Sequence, residues 1–256
     1  MSTKIVVANW KMHKTFAAGL QLAQDITQAQ QANPRPNVQI VLLPSFLHLE
    51  AIGRLIAGTD NLYLGAQHCH DQAAGAFTGA ISVPMLASVG VRFVLVGHSE
   101  HRQHGGDDES LMAKQVDAVL AHGLRPILCC GEPARCQSQQ QALDFVQRQL
   151  DAVLAQVTAD AVHELIVAYE PGWAIGTQDT PDPAVLESLC QAIRHNLVRR
   201  YGTVVGEAIP LLYGGSCQPA YASTLAAATS VDGVLVGRAS LTPGTFMEIV
   251  AAMTTT

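Results

Sequence analysis

Glu170 follows a short apolar run, Leu165–Tyr169, and is itself followed by Pro171-Gly172-Trp173. Desolvation penalises the charged form of a carboxylate and so raises its basicity. Glu170 is therefore a candidate general base. His98 follows another apolar run and lies near the start of a helical segment, where the dipole favours neutral imidazole over the cation. It is a candidate electrophile that hydrogen-bonds a substrate carbonyl. Lys11, two residues beyond the run ending at Asn9, offers positive charge to an anionic group and to charge developing in a reaction. The glycine turns Tyr213-Gly214-Gly215-Ser216 and Val236-Gly237-Arg238-Ala239 let backbone N–H groups approach an anion closely, as a phosphate requires. Beyond Glu170, Ala174-Ile175-Gly176-Thr177 is an apolar-tipped segment with no strand or helix signal, the mark of a lid that excludes water. Taken singly, each residue has a plainer reading: a structural histidine, a solvated lysine, an ordinary tight turn. Their arrangement along the chain argues otherwise.

The elements that must position them alternate regularly. Short β-branched runs occur at Lys4–Asn9, Val38–Leu43, Leu62–Ala66, Val91–Val96, Pro126–Cys129, Leu165–Tyr169, Ile209–Tyr213 and Gly233–Val236. Helical periodicity appears between them at Ala17–Ala32, Leu47–Ala57, Leu111–His122, Gln139–Gln156, Ala184–Arg200 and Pro219–Ala226. The runs are nearly continuous in apolar residues, as expected of parallel strands covered on both faces. Eight such units predict an α/β fold, a single closed (β/α)8 barrel over residues 1–256. The first turn, Asn9-Trp10-Lys11-Met12-His13-Lys14, has no glycine, so a dinucleotide fingerprint is absent. Active sites of such barrels lie at the carboxyl ends of the strands. Asn9, Lys11, His98, Ser99, Cys129, Glu132, Glu170, Ser216 and Gly237 all fall at or just beyond strand ends.

Composition limits the partners. The chain of 256 residues is 48% hydrophobic and 14% charged, with a net charge of −6. That balance is inconsistent with a general nucleic-acid or anionic-membrane surface. No apolar run reaches the ~18 residues of a membrane span, and Met1–Lys11 does not read as a signal peptide. Cys69, Cys129, Cys130, Cys136, Cys190 and Cys217 show neither CxxC pairing nor zinc spacing. They are expected to be reduced thiols of a cytoplasmic protein. His68-Cys69-His70 looks metal-like, but adjacent ligands along extended chain do not readily converge on one ion, and no metal is expected.

The chain resembles the triosephosphate isomerase family. The resemblance is carried by Asn9-Trp10-Lys11, Gly65-Ala66-Gln67, Gly75-Ala76-Phe77-Thr78-Gly79, Val96-Gly97-His98-Ser99-Glu100 and Cys129-Cys130-Gly131-Glu132. It continues through Ala168-Tyr169-Glu170-Pro171, Trp173-Ala174-Ile175-Gly176-Thr177, Tyr213-Gly214-Gly215-Ser216 and Asp232-Gly233-Val234-Leu235-Val236-Gly237. It implies a TIM barrel and an aldose–ketose isomerase of glycolysis and gluconeogenesis. The reaction interconverts dihydroxyacetone phosphate and D-glyceraldehyde 3-phosphate through an enediolate, with no cofactor. It further implies Glu170 as the base, His98 as the neutral electrophile, and Lys11 and Asn9 polarising the oxygens. The N–H groups of Gly176, Ser216, Gly237 and Arg238 would hold phosphate, with Glu100 and Cys129 supporting the reacting groups. Phe77 and Thr78 would lie in a loop that enters a second copy of the chain, giving a homodimer.

Several positions depart from the family's pattern. Gly172 replaces a branched residue at the lid hinge; its extra freedom disfavours closure by about 0.4–1 kcal/mol. Gln178-Asp179-Thr180-Pro181 replaces a Gly-Lys pair, and Arg238 a second glycine of the phosphate turn. Ala80 and His101 replace a Glu and an Arg that pair across the dimer, and Asp107 a Glu. Two alternatives stay open on these residues: an isomerase of four-carbon sugar phosphates, and a barrel that binds without catalysis.

Overall fold

The computed structural model describes residues 3–155, 157–158, 160–175, 177, 179–227 and 230–254. Eight parallel strands close into a barrel in chain order: β1 (Lys4–Asn9), β2 (Val38–Leu43), β3 (Leu62–Ala66), β4 (Phe93–Val96), β5 (Arg125–Cys130), β6 (Ile166–Tyr169), β7 (Leu211–Tyr213) and β8 (Gly233–Val236). Closure comes from β1 pairing with β8, with Ile5 opposite Gly233 and Ala8 opposite Val236. Around the barrel lie α1 (Phe16–Ala32), α2 (Leu49–Ile56), α3 (Val83–Ser88), α4 (Glu109–Ala121), α5 (Gln139–Val153), α6 (Pro183–Tyr201), α7 (Thr203–Ala208), α8 (Pro219–Ala226) and α9 (Pro243–Ala252).

The strands read as continuous apolar runs because both of their faces are buried. Alternation sends Ile5, Val7, Val41, Leu43, Leu95, Ile127, Ile166, Ala168, Leu212 and Leu235 into one cluster inside the barrel. Val6, Ala8, Ile40, Leu42, Val94, Leu128 and Val167 join a second, larger cluster with the helices. Among the described residues no helix is long and apolar enough to cross a membrane.

Four strands differ in their boundaries from the sequence reading. The fourth strand starts at Phe93, because the Val91 N–H is taken by Leu86 of the preceding helix. The fifth runs from Arg125 to Cys130, one residue longer at each end than expected. The sixth starts at Ile166, since the Leu165 N–H closes a 3₁₀ turn on Val162. The seventh starts at Leu211, after Pro210, which has no N–H to donate. Three further helices, α3, α7 and α9, complete the ring; two of them open on proline at the first turn.

Gly233 sits at the closing seam, where a Cβ would fall inside the van der Waals envelope of the Ile5 backbone carbonyl. Backbone cannot move aside cheaply there, so Gly233→Ala should lower stability by about 1–3 kcal/mol, the usual range for overpacking. Urea unfolding checks this; an unchanged midpoint would mean the seam can open to admit a methyl group.

Candidate functional site

Glu170 is fully buried at the end of β6. Its own N–H donates to Cys130 O at 2.7 Å, and Gly214 N–H donates to Tyr169 O at 2.8 Å, so the ends of β5, β6 and β7 hold its backbone. Two glycines make room for it. At Gly131 (φ 155°) a Cβ would collide with the Glu170 carbonyl, and at Gly214 a Cβ would lie 2.7 Å from Glu170 Cγ. Gly214 therefore serves the carboxylate as well as the turn. Glu170 Oε2 accepts from Ser99 N–H at 3.1 Å, and Oε1 lies 3.2 Å from His98 Nε2.

His98 occupies the N-terminal end of a helical turn; its carbonyl accepts from the N–H groups of His101 and Arg102. Its Nδ1 accepts from Glu100 N–H at 3.2 Å, so the hydrogen-bond pattern assigns the ring proton to Nε2, which faces Glu170. A neutral imidazole with Nε2–H is the form that can donate to a carbonyl.

Lys11 has a left-handed backbone (φ 52°), which costs a non-glycine residue about 1–3 kcal/mol unless its surroundings enforce it. Here they do. Lys11 N–H donates to Asn9 Oδ1 at 3.0 Å, and the Gln67 amide donates to Lys11 O at 3.0 Å and Leu43 O at 2.9 Å. The Lys11 ammonium reaches Glu100 Oε1 at 2.8 Å. Burial alone would raise the Glu100 carboxyl, but the Lys11 hydrogen bond and charge win and hold it below the ordinary carboxylate range.

These groups share a cavity of about 600 Å³ with Asn9, Ser216, Gly237 and Arg238. Gly237 lies beside the Lys11 side chain: a Cβ there would stand 3.4 Å from Lys11 Cε, in ordinary van der Waals contact. Arg238 does not have positive φ; it opens a short 3₁₀ helix, Arg238–Leu241, just after β8. Its N–H is therefore not turned away by a glycine-only conformation. Cys129 lies inside the barrel below Glu170, and burial, then the Glu170 charge, raises its thiol far above the ordinary range. It stays protonated. Phe77 and Thr78 are exposed on the segment after β3, apart from the cavity, with the Phe77 ring 4.2 Å from that of His70. Gly176 lies outside the described residues.

Sequence reasoning missed the anchor of the lid. Glu132, buried beyond β5, accepts from Trp173 Nε1 at 3.0 Å and from Tyr169 Oη at 3.1 Å. Gly172 N–H donates to Glu132 O at 2.9 Å, and a Cβ at Gly172 would stand 2.7 Å from that oxygen and 2.8 Å from Pro133 O. The glycine read as a source of hinge freedom is thus also the residue that lets the lid base press onto this segment. Arg102 was missed too; it donates to Cys129 O and Gly131 O at 3.4 and 3.2 Å. Glu132 had been noticed only as a strand-end carboxylate. Trp173 beside the base was the signal for its partner.

A closed parallel barrel with a carboxylate, an imidazole and a lysine at the carboxyl ends of its strands defines an enzyme of the (β/α)8 class performing acid–base chemistry. A family model described as Triosephosphate isomerase matches residues 4–253. The triosephosphate isomerase of Amoebophilus asiaticus is 47% identical over 253 residues, covering 99% of this chain and 100% of the relative. That of Chloroflexus aurantiacus is 38% identical over 250 residues, 98% and 99% of the two chains. That of Cytophaga hutchinsonii is 37% identical over 249 residues, 97% and 98%. The chain belongs to the triosephosphate isomerase family.

Burial raises the Glu132 carboxyl above its ordinary 4.5, against the opposing pull of its Trp173 and Tyr169 hydrogen bonds. The folded state therefore holds this proton to higher pH than the unfolded chain. The associated stability is full below 4.5 and is lost as pH rises through the raised value. Glu132→Gln should remove that slope. Urea midpoints measured across this window should show wild type losing ground to the variant as pH rises; a pH-independent difference would contradict the assignment.

Proposed function

We infer that this chain is an intramolecular aldose–ketose isomerase that interconverts dihydroxyacetone phosphate and D-glyceraldehyde 3-phosphate, in glycolysis and gluconeogenesis, as one barrel domain over residues 1–256. The observation that carries the residue assignments is the approach of Glu170 Oε1 to His98 Nε2, 3.2 Å, in the cavity that Lys11 also lines. Glu170 takes a proton from the carbon beside the substrate carbonyl and returns it to the neighbouring carbon. His98 Nε2–H donates to the carbonyl oxygen as negative charge develops there, and Lys11 and Asn9 stabilise the enediolate. The N–H groups of Ser216, Gly237 and Arg238 hold the phosphate, with Gly176 assigned to the same task by the family resemblance. Glu100 and Cys129 support these groups, Glu100 by its bond to Lys11 and its N–H to His98. Proton transfer alone balances the reaction, so the scheme calls for no metal or cofactor.

The same reading makes the protein a cytoplasmic homodimer. All six cysteines are free, in keeping with a reducing compartment. Large apolar side chains are exposed on the loops after the first three strands and on α3: Met12, Phe46, Leu47, Phe77 and Met85. Exposed large apolar side chains in this number are in keeping with an interface.

Replacing Glu170 by Gln keeps an acceptor for Ser99 N–H but deletes the base. In a coupled assay with glyceraldehyde 3-phosphate, kcat should fall by about 10²–10⁴, with KM little changed. Wild-type turnover in Glu170→Gln would sink the mechanism. Phe77→Asp should shift the protein to monomer in sedimentation equilibrium and reduce activity; a stable, fully active dimer would remove this loop from the interface.

A further inference from the structure

We propose that His68, His101 and Asp107 form a binding site for a borderline divalent transition-metal ion such as Zn²⁺, beside the barrel mouth and outside the cavity that holds Glu170. One ligand atom from each of the three lies within 4.8 Å of the others. The reason for expecting no metal here was the crowding of His68, Cys69 and His70 along one extended stretch. That objection does not apply to this set. His70 turns away, accepting from Gln72 N–H at 3.0 Å, and Cys69 is buried. His68, from the segment after β3, instead meets two residues from the segment after β4.

The geometry is close to that of coordination. His68 Nε2 and Asp107 Oδ1 are 3.5 Å apart, near the roughly 3.4 Å edge of a tetrahedron with metal–ligand bonds of about 2.1 Å. The His101 ring stacks on that of His68, centroids 4.2 Å apart, which keeps it beside the pair. The pocket is also rich in unsatisfied acceptors. Asp107 is buried, 6% exposed, and its Oδ2 has no hydrogen-bond partner among the described residues. Gln115, 1% exposed, has an equally unpartnered Oε1; its amide nitrogen is hydrogen-bonded to Cys69 O at 3.0 Å and to His68 Nε2 at 2.9 Å, a contact the ion would have to displace. Burying acceptors without donors is costly, and a cation satisfies several at once. The neighbouring Arg102 is committed to the Cys129 and Gly131 carbonyls. Two imidazoles and one carboxylate suit zinc, copper or nickel rather than the hard, oxygen-preferring Mg²⁺. His68 and His101 are partly exposed within a single chain.

The test is calorimetric titration of chelator-treated protein with Zn²⁺, with Mg²⁺ as the contrast. Wild type should bind one Zn²⁺ per chain and should not bind Mg²⁺. His101→Gln and Asp107→Asn should each weaken Zn²⁺ binding at least tenfold, whereas His122→Gln, an exposed histidine elsewhere, should leave it unchanged. Asp107→Asn preserves shape, and His101 lies near the surface, so two separate variants report even if one folds poorly. Co²⁺ in place of Zn²⁺ should give the intense visible bands of a four-coordinate ion in wild type and lose them in either variant. Equal Zn²⁺ affinity in wild type and a His68→Gln/His101→Gln double variant would overturn the proposal, since binding would then belong to other surface histidines. Failure of wild type to bind a stoichiometric ion would overturn it as well.

Discussion

A carboxylate with no solvent exposure must be surrounded by groups that compensate for lost water, and Glu170 is such a carboxylate. The Ser99 N–H bonds one carboxylate oxygen, and the His98 ring stands 3.2 Å from the other, which has no hydrogen-bond partner among the described residues. Space for it comes from absent side chains at Gly131 and Gly214, just beyond the strands to either side. The barrel's closed parallel pairing brings β5 and β7 into register with β6, so the glycines and the carboxylate meet. The order of the barrel and the position of the base are thus one constraint.

A second group is held by force rather than by room. The left-handed backbone of Lys11 is fixed by Asn9 and Gln67, and this directs the ammonium past Gly237 toward Glu100. Glu100 in turn gives its N–H to His98. Lysine and imidazole are therefore oriented through a shared residue, and a change at Glu100 acts on both. The lid base is tied down separately, by the Glu132 carboxylate on Trp173 and by the close fit of Gly172. Arg135 adds a cation–π contact over the Trp173 ring at 4.1 Å.

The barrel was legible because parallel strands buried on both faces leave a strong sequence signal, and so were Glu170, His98 and Lys11, which stand where strand ends converge. Strand starts were less legible where a proline or a local turn took the first N–H, as at Pro210 and Leu165. The supporting contacts were legible only where a neighbour hinted at them, as Trp173 did for Glu132. Nothing in the spacing of Gln67, Glu132 or Arg102 reveals which carbonyl or indole each will reach, since that depends on strands far apart in sequence. Gly214 and Gly172 were recognised as glycines that matter, but the steric reason lies in neighbours the sequence does not place. The His68–His101–Asp107 cluster was hidden for the same reason: its members come from two different loops.

The central claim is that Glu170 moves a proton between adjacent carbons of a phosphorylated triose. The direct measurement is isomerisation of dihydroxyacetone phosphate in D₂O, followed by NMR of the product. Glyceraldehyde 3-phosphate should carry at C2 either the proton taken from C1 or deuterium that exchanged onto the base, formed at a rate that collapses in Glu170→Gln. Product formed by Glu170→Gln at the wild-type rate would contradict it, since the hydrogen would then have moved without this carboxylate.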